Sequence, residues 1–122
     1  MSIGVLIVDD LAFVKLVLRD IVEKAGYSVV ATASDGEEAV RLFEAHHPQV
    51  VLLDITMPRM DGITALRQMR KLDPRASIIM CSALGQQRLM VQAIGLGARD
   101  FIVKPFQPER VLGAIKKALD LD

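Results

Sequence analysis

Two hydrophobic periods alternate along the chain. Ile3 to Val8, Val29 to Ala33, Val50 to Leu53, Ile78 to Cys81 and Phe101 to Val103 are short, largely apolar runs, four of them rich in β-branched residues. Apolar runs of that length fit strands buried on both faces of a sheet. The stretches between them repeat apolar residues at helical spacing. Val14, Val17, Leu18, Ile21, Val22 and Ala25 share one helical face, with Lys15, Arg19, Glu23 and Lys24 opposite. Gly26 then stops that helix from the C′ position.

The later helices carry similar punctuation. Ser34-Asp35-Gly36-Glu37-Glu38 offers a capping box ahead of Ala39, Leu42 and Phe43. Asp61-Gly62 precedes Ile63, Leu66 and Met69. Gln86 to Leu96 stacks Leu89, Met90, Ala93 and Ile94 and ends at Gly97, and Pro108 opens a helix with Val111, Leu112, Ile115 and Leu119. Five β-α units without linker or repeat predict an α/β fold: one doubly wound parallel sheet with helices on both faces.

Composition narrows the class. A chain of 122 residues, 52% hydrophobic, predicts a single domain over residues 1–122. No apolar run nears the roughly 18 residues of a membrane span, and the N-terminus lacks the basic flank of a signal peptide, so a cytoplasmic protein is expected. Fifteen basic and fifteen acidic residues leave no basic footprint for nucleic acid. The Arg67 to Lys71 cluster reads as a solvated helix face. The single cysteine, Cys81, excludes an intrachain disulfide and reads as a buried small hydrophobe. His46-His47 ends a helix and reads as capping or solvated. Gly95-Leu96-Gly97 closes a helix instead of following a strand, so it is no nucleotide fingerprint. Met57 and Met60 read as loop packing.

Open parallel sheets bind ligands outside the carboxyl ends of their strands. The first predicted strand is followed by Asp9 and Asp10, the third ends at Asp54, the fourth at Ser82 and the fifth at Lys104-Pro105. Only the second, ending at Ser34, brings no strong chemical group, as an edge strand would. Each residue alone has an ordinary explanation: Asp10 as a helix N-cap, Lys104 as a solvated lysine. Their convergence on one crevice is the stronger signal. Three aspartates gathered there would repel, raising one pKa unless a cation intervenes, and hard oxygen ligands suit Mg²⁺. A carboxylate beside Mg²⁺ can attack phosphorus and form an aspartyl phosphate without a general base. Mg²⁺, Lys104 and either the Ser82 hydroxyl or a backbone N–H would then share the phosphoryl oxygens.

Asp9-Asp10, Asp54, Ser82 and Lys104-Pro105 resemble the acidic pair, phosphoacceptor, hydroxyl and lysine of the response-regulator receiver family, over the whole chain. The stretches DDLAF, DITMPRMDG, CSALGQQ and DFIVKPFQP resemble its single-domain chemotaxis branch, of the type found in Thermotoga and Gram-positive bacteria. The resemblance implies a flavodoxin-like (βα)5 sheet in the order 2-1-3-4-5. It implies Mg²⁺, replaceable by Mn²⁺, on Asp10, Asp54 and the Thr56 backbone carbonyl, with Asp9 acting largely through water. Lys104 would pair with the phosphoryl group, its peptide bond to Pro105 would be cis, and Ser82 would move inward. Phe101 matches the switch position and, lacking a hydroxyl, would act through packing. Leu84, two residues past Ser82, implies slow loss of phosphate.

The implied partners are a CheA-like histidine kinase, a FliM-like flagellar motor-switch protein and a dedicated phosphatase, with the chain itself a monomer. The partner surface would be the fourth helix, fifth strand and fifth helix, overlapped by the kinase. On this reading the chain is no enzyme beyond its own phosphorylation and dephosphorylation. Other readings stand beside it. A stand-alone phosphorelay receiver, or the receiver of a longer DNA-binding regulator, would share every motif. An aspartyl-nucleophile phosphatase resembling the haloacid dehalogenase family would need an acid where Thr56 stands. A flavodoxin-like cofactor binder would have Asp9 and Asp10 repelling its phosphate.

Overall fold

Strands β1 (Gly4–Val8), β2 (Ser28–Ala33), β3 (Val50–Asp54), β4 (Ser77–Ser82) and β5 (Asp100–Val103) pair in parallel in the order β2-β1-β3-β4-β5. This sheet is seen in a computed structural model that describes residues 2–120; residues 1, 121 and 122 of the expected domain lie outside the described residues. The order matches the flavodoxin-like arrangement that the resemblance implies. It also places the reversal of strand order between β1 and β3, beside Asp9 and Asp54.

Among the described residues, five helices cover the sheet: α1 (Ala12–Lys24), α2 (Gly36–His46), α3 (Gly62–Leu72), α4 (Gln87–Gly95) and α5 (Pro108–Asp120). Side-chain alternation along the strands divides the core in two. Leu6, Val8, Val51, Leu53, Ile78 and Met80 pack with Phe43 of α2, Leu66 and Met69 of α3 and Met90 of α4. Val5, Ile7, Val50, Leu52, Ile79, Cys81 and Ile102 pack with Leu18 and Val22 of α1 and Val111 and Ile115 of α5. Fully burying each such Val, Leu or Ile stabilises the fold by roughly 1.5–3 kcal/mol. Pairing fixes the register from both sides of β3: Val50 lies opposite Val5 and Ser77. A slip of one residue would move Asp54 to the other face.

The ends of the helices follow the sequence signals. Asp35 caps α2 by accepting from the Glu38 N–H at 2.9 Å, while Glu38 Oε1 accepts from the Ser34 N–H at 2.8 Å. Asp61 caps α3 through the Thr64 N–H at 2.8 Å. Gly26, at φ 94°, turns the chain after α1 so that its N–H and that of Tyr27 reach the last helical carbonyls.

Four expectations need correction. β2 lies at the sheet edge and is mostly half-buried, because it has one strand neighbour, β1, although helices α1 and α2 both pack on it. Ala25 is exposed at the cap of α1. Arg67 to Lys71 is no single solvated face: Met69 is fully buried, and half-buried Arg70 donates to the Ala76 carbonyl at 3.0 Å. On α4, Met90 and Ala93 take the inward positions, which leaves Val91 and Ile94 exposed.

Candidate functional site: an acidic pocket at the carboxyl edge of the sheet

Alternation also decides which strand-end residues meet. Val5 and Ile7 face the α1–α5 layer, and Asp9 continues their side of β1. Asp54 continues Val50 and Leu52, and Lys104 continues Ile102. All three therefore converge. The Lys104 ammonium donates to Asp9 Oδ2 at 2.6 Å and lies 3.5 Å from Asp54 Oδ1. Asp9 is fully buried, and its second oxygen accepts from the Leu11 N–H at 2.9 Å. Asp10 is exposed at the rim and caps nothing, since Leu11 occupies the N-cap position of α1 without a side-chain bond. One ligand atom each from Asp9, Asp10 and Asp54 lies within 4.8 Å of the others.

Burial and the neighbouring Asp9 charge push the Asp54 carboxyl up from 3.8 to about 6; Lys104 opposes this and Asp10 adds to it. Burial alone would lower Lys104, yet its bond to Asp9 and the two carboxylate charges hold its pKa above the ordinary lysine value. One ammonium thus serves three carboxylates, leaving the pocket short of positive charge. A hard divalent cation such as Mg²⁺ fits this donor set. Cys81, beneath the pocket on the same face of β4, is buried with its thiol pushed up to about 12 by burial, so it is inert here.

Ser82 and Phe101 fall on the other face. Ser82 continues Met80 toward α4, and its buried hydroxyl donates to Met90 Sδ at 3.1 Å instead of entering the pocket. Phe101 is half-buried against the same layer, lining a cavity of about 310 Å³ with Gln87, Met90, Val91 and Ile94. The sequence expectation of Ser82 in the crevice therefore needs amending in this conformation. The Lys104-Pro105 peptide is cis.

Two further residues shape the site. Gly62 N–H donates to the Ile55 carbonyl at 2.7 Å, and a Cβ on Gly62 would meet the Asp54 carbonyl oxygen at 2.0 Å. Asp61-Gly62 reads in the sequence only as a helix start; nothing there signals this close approach. Gln86 donates to the hydroxyl of the exposed Thr56 at 2.8 Å. Met57 and Met60 pack on the core beneath this loop, as expected.

A doubly wound five-stranded sheet with an acidic pocket and a lysine at its switch point defines a phosphoacceptor class of signalling module. The chain belongs to the response regulator receiver domain family, whose profile matches residues 5–116. It is 53% identical to the chemotaxis protein CheY of Bacillus subtilis over 98% of this chain and 100% of that one. It is 54% identical to the CheY of Thermotoga maritima over 93% of this chain and 94% of that one. Among solved structures, a chain of the CheX-CheY-BeF3-Mg²⁺ complex from Borrelia burgdorferi superposes with a TM-score of 0.91. It shares 42% identity and covers 95% of this chain and 88% of its own. Among the described residues, no helix is long and apolar enough to cross a membrane.

Proposed function

We propose that residues 1–122 form one cytoplasmic, monomeric receiver domain that takes a phosphoryl group on Asp54 from a CheA-like histidine kinase in chemotaxis. The observation that carries this reading is the Asp54 carboxylate 3.5 Å from Lys104, in a buried pocket shared with Asp9 and Asp10. An Asp54 oxygen attacks phosphorus as the bond from phosphorus to the donor imidazole nitrogen breaks, and Asp54 enters ionised. Asp10, Asp54 and the Thr56 carbonyl would hold Mg²⁺ or Mn²⁺, with Asp9 behind them through water. When bound, that cation neutralises the charge crowded between carboxylates and phosphoryl oxygens. Lys104, already between Asp9 and Asp54, turns to a phosphoryl oxygen.

Ser82 then leaves Met90 for the phosphoryl group, and Phe101 repacks in the space beside α4. Exposed Val91 and Ile94 line that cavity and give a FliM-like motor-switch partner an apolar footing whose shape changes with Phe101. The exposed row of Phe13 and Leu16 on α1, with Phe13 bordering Lys104, Pro105 and Phe106, offers a footing for a dedicated phosphatase. Leu84, 76% exposed past Ser82, carries no carboxylate to orient an attacking water, and we expect slow loss of phosphate. A lifetime of only about a few seconds at room temperature would contradict that.

The test is incubation with acetyl phosphate, with and without Mg²⁺, followed by intact mass measurement of the protein and of Asp54→Asn. A Mg²⁺-dependent phosphoryl adduct absent from the variant supports the reading; equal modification of both would falsify it. Binding of a motor-switch N-terminal peptide, tightened by beryllofluoride, separates chemotaxis from other relays.

A further inference from the structure

Past the end of β4 the chain turns through residues 83–86 before α4 begins, and Gln86 ties that turn to the loop beyond Asp54. Its Oε1 accepts from the Ala83 N–H at 2.9 Å, and its Nε2 donates to the Thr56 hydroxyl at 2.8 Å. Ala83 directly follows Ser82, Thr56 lies two residues past Asp54, and Asp54 pairs with Cys81 across the sheet. The Gln86 amide therefore bridges the segments that leave the two strands flanking the phosphoacceptor. Helix capping does not account for it. Gln86 occupies the N-cap position of α4, yet its side chain bonds no first-turn N–H there; it reaches back to Ala83 and across to Thr56.

We propose that Gln86 is a positioning residue, a clasp that holds the turn after β4 in its resting arrangement and must release Ala83 when Asp54 is phosphorylated. The proposal rests on Asp54 being the phosphoacceptor. A phosphoryl group there needs donors for its equatorial oxygens. Lys104 supplies one, and the end of β4 is the neighbouring source of others. Both of its donors are engaged elsewhere: the Ser82 hydroxyl with Met90 Sδ at 3.1 Å and the Ala83 N–H with Gln86. An anionic phosphoryl oxygen accepts more strongly than a neutral amide, so the exchange is favourable once phosphate is present. Ser82 and Ala83 share a peptide bond, so freeing one loosens the other, and the turn rearranges as a unit. Gln86 then sets how much of the resting arrangement has to be undone.

The apparent affinity for a phosphoryl mimic falls with the fraction of molecules ready to receive it. Each neutral hydrogen bond that favours the resting state shifts that balance by roughly two- to tenfold. Beryllofluoride binding is therefore measured by calorimetry at saturating Mg²⁺ for the wild type, Gln86→Ala, Thr56→Val and the double variant. Gln86→Ala should bind about fivefold tighter. Thr56→Val should tighten binding less, and the double variant no more than Gln86→Ala alone, because both substitutions break the same clasp. Mg²⁺ affinity without beryllofluoride should stay unchanged in Gln86→Ala, and the Ala83 amide should exchange its hydrogen faster. A purely structural role would move neither the coupling nor the mimic affinity. Unchanged or weaker mimic binding in folded Gln86→Ala overturns the clasp, as do additive effects of the two substitutions. If Gln86→Ala does not fold, Thr56→Val alone decides the direction. A wild type that binds no beryllofluoride with Mg²⁺ overturns the phosphoacceptor reading and the clasp with it.

Discussion

Asp54→Asn removes one negative charge from a pocket where ligand atoms of three carboxylates lie within 4.8 Å of one another. The Asp54 carboxyl is raised from 3.8 to about 6, chiefly by burial and by Asp9. A carboxyl that holds its proton more tightly when folded gives its full stability below about 3.8, and that stability is lost as pH rises through about 6. That rise from 3.8 to about 6 makes ionised Asp54 cost up to about 3 kcal/mol near pH 7.5 without metal. Asparagine keeps the shape and an oxygen toward Lys104 but carries no charge. In EDTA near pH 7.5, urea unfolding followed by circular dichroism should therefore show Asp54→Asn more stable by about 1–3 kcal/mol, or roughly 4–12 °C in Tm. Near pH 4 the gap should shrink below about 1 kcal/mol, because the folded wild type is then protonated. Saturating Mg²⁺ should close it from the other side by stabilising the wild type. A variant no more stable than the wild type near pH 7.5 in EDTA would refute the crowding argument. So would a gain that does not change with pH.

Other outcomes follow from the same geometry. Gly62→Ala should destabilise the protein by about 3 kcal/mol or more in urea unfolding, because its Cβ would sit 2.0 Å from the Asp54 carbonyl oxygen. Gly113→Ala, on α5 where a Cβ meets nothing within 4 Å, should be neutral or slightly stabilising and is the matched control. Met90→Leu leaves the Ser82 hydroxyl without its 3.1 Å sulfur partner. It should cost about 1 kcal/mol in stability while tightening beryllofluoride binding, read by calorimetry. Cys81 should resist a thiol reagent in the native protein and react at the rate of unfolding, since it is buried with its thiol pushed up to about 12.

Most of the fold was legible because the core strands are nearly pure. Val50 to Leu53 suits a strand covered on both sides, and β3 is fully buried. β2 was legible as a strand but not in its burial, since Val29 to Ala33 is as apolar as a central strand and only its place at the sheet edge exposes it. In the site, Asp9, Asp54 and Lys104 could be placed from strand ends alone. The separation of Ser82 and Phe101 from them was also present in the alternation: Ser82 shares the parity of Met80, and Lys104 that of Ile102. Reading strand ends without that parity put Ser82 in one crevice with Asp9, Asp54 and Lys104; Phe101 was never read into it. Gln86 and Gly62 were not legible, because their parts depend on distances between loops that no local pattern encodes. Asp10 showed a different limit: its spacing before α1 suits an N-cap, yet the N-cap position fell to Leu11.

The central claim is that Asp54 itself carries the phosphoryl group. Borohydride reduces an acyl phosphate to a primary alcohol, so trapping after treatment with acetyl phosphate and Mg²⁺ converts a phosphorylated aspartate to homoserine. Peptide mass spectrometry should then find homoserine at position 54, only when Mg²⁺ is present and at neither Asp9 nor Asp10. Homoserine at another aspartate, or none at position 54 in protein that has gained phosphate, would contradict the account.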